Sequence, residues 1–245
     1  MRFRIRSFYF YLIMVIFCCS CNKTNPLVTD TPADYYPLQV GKYIIYRMDS
    51  IKFINIGTQD TIISHQAKEV VEDSISDNLG RPSYRVVRYL SDTTGTAAWT
   101  PSIAYMVTPL SGSVEVIDNN LRYIKMVTPV QDGISWLGNA YIDTKSNDSP
   151  VPYLDRWNYT YASTGLPFEV LAGTIPESVI VNEANSVTGN DNTFTETIYS
   201  TEIYGKGIGL IYKKFLYTQY QSPNVSNPVG TTTGYGLTFN MLSHN

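Results

Sequence analysis

The chain has 245 residues and a formal net charge of −3, from 18 basic and 21 acidic side chains, with charged residues only 16% of the whole. That mildly acidic balance argues against a nucleic-acid partner, whose phosphates demand a basic patch. The three cysteines are confined to positions 18–21, which leaves the rest of the chain without a disulfide, a thiolate nucleophile or a cysteine metal site.

The first twenty residues read as a signal peptide. Arg2, Arg4 and Arg6 form a basic start, and ten apolar or aromatic residues follow, Phe8 to Phe17. That run is too short to cross a bilayer as a helix, which takes roughly 20 residues, and it has the layout of a secretory signal. Ser20 is small enough to precede a cut, and Cys21 opens the polar stretch Asn22-Lys23-Thr24-Asn25-Pro26. This arrangement resembles a bacterial lipoprotein signal, which implies lipid attachment at Cys21 and loss of Cys18 and Cys19. It departs from the usual pattern at Cys18, where leucine is common, and cleavage before Cys19 or an ordinary secretory signal are the alternatives. A zinc site is disfavoured, because three near-contiguous sulfurs lack the spacing and the fourth ligand that zinc wants. Each buried CH₂ contributes about 0.8 kcal/mol, so two or three acyl chains hold a protein on a membrane with no transmembrane helix. Loss of Arg2, Arg4 and Arg6 with the signal moves the net charge from −3 to −6, so electrostatic clamping to anionic lipid is not expected.

Residues 21–37 are expected as the lipidated N-terminus and a flexible tether, since Pro26, Pro32 and Pro37 alternate with small polar residues. Residues 38–245 are expected as one β domain, for many Tyr, Thr, Val and Ile favour strands. VGKYIIYRM (40–48) and IKFINI (51–56) read as strands. AKEVVEDSI (67–75) and PSYRVVRYL (82–90) read as a hairpin around SDNLGR, with a helix over 63–75 as the competing reading. SVEVIDNNLRYIKMV (113–127) is the clearest hairpin, because Asn119-Asn120 tolerates the left-handed turn. ESVIVNEA (177–184), TFTETIYSTEIY (193–204), GLIYKKFLYTQY (209–220) and GYGLTFNML (234–242) complete the set, with a long polar loop over 221–233. The expected fold class is all-β: an antiparallel meander of about ten strands, closed as a barrel-like or sandwich body to manage its edges.

Several of these stretches carry a wider resemblance. YYPLQVGKYIIYRMDSI (35–51), KEVVEDSISDNLGRPSYRVVRY (68–89), NNLRYIKMVTPVQDGISWLGNAYI (119–142), IYGKGIGLIYKKF (203–215) and GYGLTFNMLSHN (234–245) resemble a family of uncharacterised envelope lipoproteins of Bacteroidota-type bacteria. Where that family's first strand usually carries a Trp, this chain has Tyr43 and Ile44. The resemblance implies an envelope location, facing the periplasm or the cell exterior, and no assigned activity, cofactor or catalytic residue.

No complete catalytic set is visible. GKGIGL (205–210) fails as a dinucleotide fingerprint, since Leu210 stands at the third Gly position, and it reads as a tight bend. His65 and His244 are the only histidines, and no nucleophile elbow accompanies them. Glu196 with Glu202, or Asp143 with Asp155, would serve a glycan hydrolase only if they faced each other about 5–10 Å apart. GNDNT (189–193) lacks the spacing of a calcium loop. No cofactor or metal is expected. Among the aromatics, Trp136 (within SWLGN, 135–139) and Trp157 are the candidates for a ligand surface. The expected function is therefore a lipid-anchored, non-catalytic envelope protein that binds a partner protein or a glycan or lipid ligand. The alternatives are a lipid or lipoprotein carrier with an apolar cavity in a curved sheet, and a hydrolase using paired carboxylates.

Overall fold

The computed structural model describes residues 29–155, 157–190, 192–225 and 228–245. The expected signal peptide 1–20, with Cys18 and Cys19, the expected lipid-attachment residue Cys21 and residues 22–28 of the expected tether lie outside them. The described residues form twelve strands: β1 (Tyr43–Ile54), β2 (Gln59–Ser76), β3 (Pro82–Ser91), β4 (Thr100–Pro109), β5 (Ser113–Asp118), β6 (Leu121–Val127), β7 (Ser135–Leu137), β8 (Asn158–Val170), β9 (Gly173–Asn190), β10 (Phe194–Gly205), β11 (Gly209–Gln221) and β12 (Thr231–His244). The only α-helix among them is the single turn α1 (Pro32–Tyr35). No helix among the described residues is long and apolar enough to cross a membrane.

The turns fall where the chain can take positive φ. Asn119 and Asn120 sit at φ 49° and 63° between β5 and β6, the left-handed pair that a two-residue hairpin needs. Gly207 and Gly209, at φ 74° and 115°, close the β10–β11 turn, so GKGIGL forms a tight bend between two strands. The segments 40–48 and 51–56 belong to one strand. Asp49 and Ser50 remain paired to Ser64 and Ile63 of β2, and the chain turns only at Asn55-Ile56-Gly57. The helical alternative over 63–75 is not adopted, because β2 is paired along its length to β1 and β3. The strands β4 and β8 had no counterpart in the sequence reading. β4 holds Pro101 and Pro109, and β8 is interrupted by Ser163 and Gly165 at positive φ, so neither shows a clean period of two.

All neighbours pair antiparallel, in the order β6-β5-β4-β3-β2-β1-β12-β11-β10-β9-β8-β7. The first and last long strands, β1 and β12, join the two halves of the meander, and the free edges β6 and β7 then come round to meet. The Ile124 N–H donates to the Gly138 carbonyl at 2.8 Å, and the Trp136 indole N–H donates to the Ile124 carbonyl at 2.8 Å. One hydroxyl bridges β6 to β8: Tyr161 accepts from the Val127 N–H at 2.8 Å and donates to the Val127 carbonyl at 2.9 Å. The sheet is thus a nearly closed barrel, which removes most of the exposed edge that a twelve-stranded sheet would otherwise carry. Tyr161→Phe strips both backbone groups of Val127 of this partner. We expect a loss of about 1–3 kcal/mol, read by urea unfolding, with faster amide exchange at Val127 than at Val116 on the unaffected β5.

The N-terminal segment packs on the end of the barrel. The prolines up to residue 37 favour an extended tether, and in the structure the described part from Asp30 onward contacts the barrel. Pro32 stands at the first helical position, where its missing N–H costs nothing. The side chain of Asp34 accepts from the Thr31 N–H at 2.7 Å. Tyr35 is fully buried in the main apolar cluster, and its hydroxyl donates to Asp30 at 2.9 Å. Asp30 also pairs with Lys206 at 2.9 Å, and the Gly207 N–H donates to the Asp34 carbonyl at 2.7 Å. Two adjacent aromatics, Tyr35 and Tyr36, outweigh the extended preference of the flanking prolines, and α1 closes the end of the barrel at which the β10–β11 turn lies.

Candidate functional site

The barrel is not filled. A cavity of about 610 Å³ runs along its interior. Its floor is made by Tyr36, beside α1, and by Tyr204 and Leu210 at the β10–β11 end. The exposed residues Asn119, Pro150 and Tyr235 stand at its mouth, at the opposite end from α1. One wall is aromatic: Tyr153 stacks on Tyr217 at 4.4 Å between ring centres, and Phe215 lies 4.9 Å from Tyr235 and 6.3 Å from Trp157.

The other wall is charged. Lys125 of β6 donates to Glu183 of β9 at 2.8 Å and to Glu202 of β10 at 2.9 Å. Lys213 of β11 donates to the same oxygen of Glu202 at 2.8 Å. The second oxygens are also taken: Tyr204 donates to Glu202 at 2.6 Å, and Ser200 to Glu183 at 2.5 Å. A separate pair closes the β2–β3 side, where Arg88 donates to Glu69 at 2.9 and 2.5 Å and Tyr105 donates to the other oxygen at 2.9 Å. The Arg88 guanidinium lies 4.6 Å from the Phe239 ring centre. Strand alternation explains the convergence. Lys125 is in phase with Tyr123, Glu183 with Val179 and Val181, Glu202 with Ile198 and Tyr204, and Lys213 with Phe215, so each charge projects with the core-facing set.

Burial alone would drive a proton onto Glu202, but Lys125 and Lys213 outweigh it and hold the carboxyl well below the usual range. Burial alone would likewise neutralise Lys125, and Glu183 and Glu202 outweigh it and push the ammonium well above its ordinary value. Burial holds the phenols of Tyr105, Tyr159 and Tyr204 well above their usual range, and pushes Tyr123 up to about 12. The signs set a window. Glu202, depressed in the fold, contributes stability above its ordinary pKa of 4.5 and loses it as pH falls toward the folded value. Lys125, raised in the fold, contributes below 10.5 and loses it as pH rises through its folded value. Between those limits the contribution is flat. We expect the stability gap between wild type and Glu202→Gln to be widest from pH 5 to 9 and to narrow toward pH 3, measured by urea unfolding at fixed ionic strength.

No protein-family model matches the chain. No curated protein matches it. Among solved structures the chain is similar to a Bacteroides fragilis NCTC 9343 protein with a YMCC-like fold that is inferred to be exported. The two are 11% identical with a TM-score of 0.34, and the match covers 86% of this chain and 98% of that one. Nothing about ligand or activity rests on that likeness.

The residues singled out from sequence are dispersed. Trp157 lines the cavity, with its indole N–H donating to the Tyr153 carbonyl at 2.8 Å. Trp136 is not among the lining residues and belongs to the seam between β6 and β7. The rest of SWLGN serves the same closure: Gly138 lies flat against the Tyr159 ring, where a Cβ would come within 2.4 Å, and buried Asn139 donates to the Leu154 carbonyl at 3.0 Å. Glu196 and Glu202 lie six residues apart on one strand, roughly 20 Å at 3.3 Å per residue, so they do not face each other. Asp143 and Asp155 both border a 250 Å³ pocket in the loop after β7. There Asp143 accepts from the Lys145 and Ser146 N–H groups at 3.1 Å, and Asp155 accepts from Thr144 at 2.8 Å. His65 meets the Ser91 carbonyl at 3.2 Å, and His244 lies exposed at the end of β12. In the 189–193 stretch, Asn190 caps Asn192 and Thr193, and Asp191 lies outside the described residues. Among the described residues no three His, Cys, Asp or Glu side chains cluster as a metal site.

Proposed function

We propose that this chain is an exported envelope protein, held on a membrane by lipid at Cys21, that binds a small ligand inside its barrel without transforming it. One observation carries the reading: an interior cavity of about 610 Å³ with an aromatic wall and a fixed polar wall. Ligand pockets of drug-sized molecules span about 300–1,000 Å³ and combine mostly apolar lining with a few placed polar groups. The non-catalytic part rests on the state of the acids. A glycan hydrolase needs one carboxyl that gives up a proton and another that is free to attack or to activate water. Glu202 is held ionised, and both oxygens of Glu183 and Glu202 are occupied by lysine, tyrosine or serine donors. A carrier reading is favoured only by the aromatic wall, which suits an apolar tail.

The test is extraction and mass spectrometry of the full protein purified from its native membrane. We expect a diacylglycerol-modified Cys21 at the N-terminus and a small molecule that co-purifies at close to one per chain. Leu210→Trp, which fills the cavity floor, is expected to abolish that co-purification while the chain still folds. An unlipidated Cys21 removes the anchor from the proposal. An empty barrel in both the wild type and the filled variant removes the ligand.

A further inference from the structure

The charges lining the cavity do not balance. Arg88, Lys125 and Lys213 face Glu69, Asp118, Glu183 and Glu202. Arg88 is held by Glu69, and the two lysines are held by Glu183 and Glu202, so both groups are internally matched. Among the described residues Asp118 has no ion-pair partner, and its charge reaches Arg88 only through space. Asp118 is the last residue of β5, beside the Asn119-Asn120 turn, and its Oδ1 is buried with no hydrogen-bond partner. A carboxylate oxygen shut off from water without a donor costs free energy, more than a neutral acceptor would. Asp118 also lines the cavity, so a cationic group placed there would meet a carboxylate that no ion pair of the wall already holds.

We propose that the barrel takes an amphipathic amine, with its ammonium on Asp118 and its apolar part along Trp157, Phe215 and Leu237. This rests on the reading of the barrel interior as a ligand site and names the class of ligand. An ammonium supplies both what Asp118 lacks, a strong donor and a positive charge, and charge-assisted hydrogen bonds are roughly twice as strong as neutral ones. An anion fits less well. It would have to win Lys125 and Lys213 from Glu202, which both already contact at 2.8–2.9 Å, and it would add a negative charge to a lining that already carries one in excess. The aromatic faces near the mouth favour a cation in transit as well, since a ring face attracts positive charge.

The experiment compares three probes with one tail, n-octylamine, n-octanol and n-octanoate, titrated at pH 7 into the full lipidated protein in detergent micelles. Binding is followed by calorimetry and by tryptophan fluorescence, with Trp157→Phe identifying the cavity signal. We expect octylamine to bind at least tenfold tighter than either of the others. Asp118→Asn is expected to remove that preference and leave octanol binding within about twofold. Octanoate binding tightest, or an amine preference that survives Asp118→Asn, overturns the amine assignment and leaves the cavity a ligand site of another class. No cavity binding by any of the three, with the same result for Asp118→Asn, overturns the amine assignment as well. Only the co-purification experiment with Leu210→Trp then decides whether the interior binds anything.

Discussion

Lys125→Met is expected to cost about 3–5 kcal/mol, the range for removing one partner of a buried ion pair. The side chain keeps its length and apolar stem, so the loss isolates the ammonium. Without it, Glu183 retains only the Ser200 hydroxyl among the contacts described above, and Glu202 retains Lys213 and Tyr204. Two carboxylates that shared one cation then lie close together in the barrel. For a domain of this size each kcal/mol lowers the melting temperature by roughly 2–4 °C, so a fall of about 6–20 °C is expected in calorimetry. Lys125→Met combined with Glu183→Gln removes a charge from each side and should recover part of the loss, which a double-mutant cycle would read as a coupling between the two sites. A fall near that of a surface substitution, within about 0.5 kcal/mol, would mean that water in the cavity screens the network and that it does not hold the wall in place. Lys213→Met should be milder, because its side chain is partly exposed and its partner Glu202 keeps Lys125.

The architecture was legible because strand phase and turn chemistry are local. Asn119-Asn120, the glycines of 205–209 and the alternating strand 234–242 each specify their own geometry, and the meander follows from joining neighbours. The closure was not legible. It depends on Gly138, Trp136 and Tyr161 meeting β6 across the seam, and no short-range pattern reports a contact between edges. The site was half legible. The sequence carries the signal for it, a charge in phase with the core-facing residues of four strands, at Lys125, Glu183, Glu202 and Lys213. Read strand by strand, however, each looks like an exposed polar position, and Glu202 drew notice only through Glu196, which lies along the strand from it. Their partnership appears once register places β6 opposite β9 and β10. Trp157 was noticed for its aromatic character and lines the cavity, whereas Asp118 was hidden in a hairpin that needed only its two asparagines to be recognised.

The N-terminal segment is where composition misled, and Tyr35 is the residue that tests it. Three prolines among polar residues describe a tether, but a fully buried tyrosine at the floor of the barrel describes a plug. Tyr35→Ala is expected to cost about 3–5 kcal/mol, as for other large aromatics removed from a core. Tyr35→Phe should cost about 1 kcal/mol, since it gives up only the hydrogen bond to Asp30. The ratio of the two, from chemical unfolding of the full chain, separates burial from hydrogen bonding as the source of the docking. A cost within about 0.5 kcal/mol for Tyr35→Ala would return the segment to the status of a detachable tether. The consequence reaches the cavity, because Tyr36 follows directly and stacks near Tyr204 at 5.6 Å between ring centres. Loosening α1 therefore opens the floor, so Tyr35→Ala should also speed ligand release, turning a pocket closed at one end into a channel open at both.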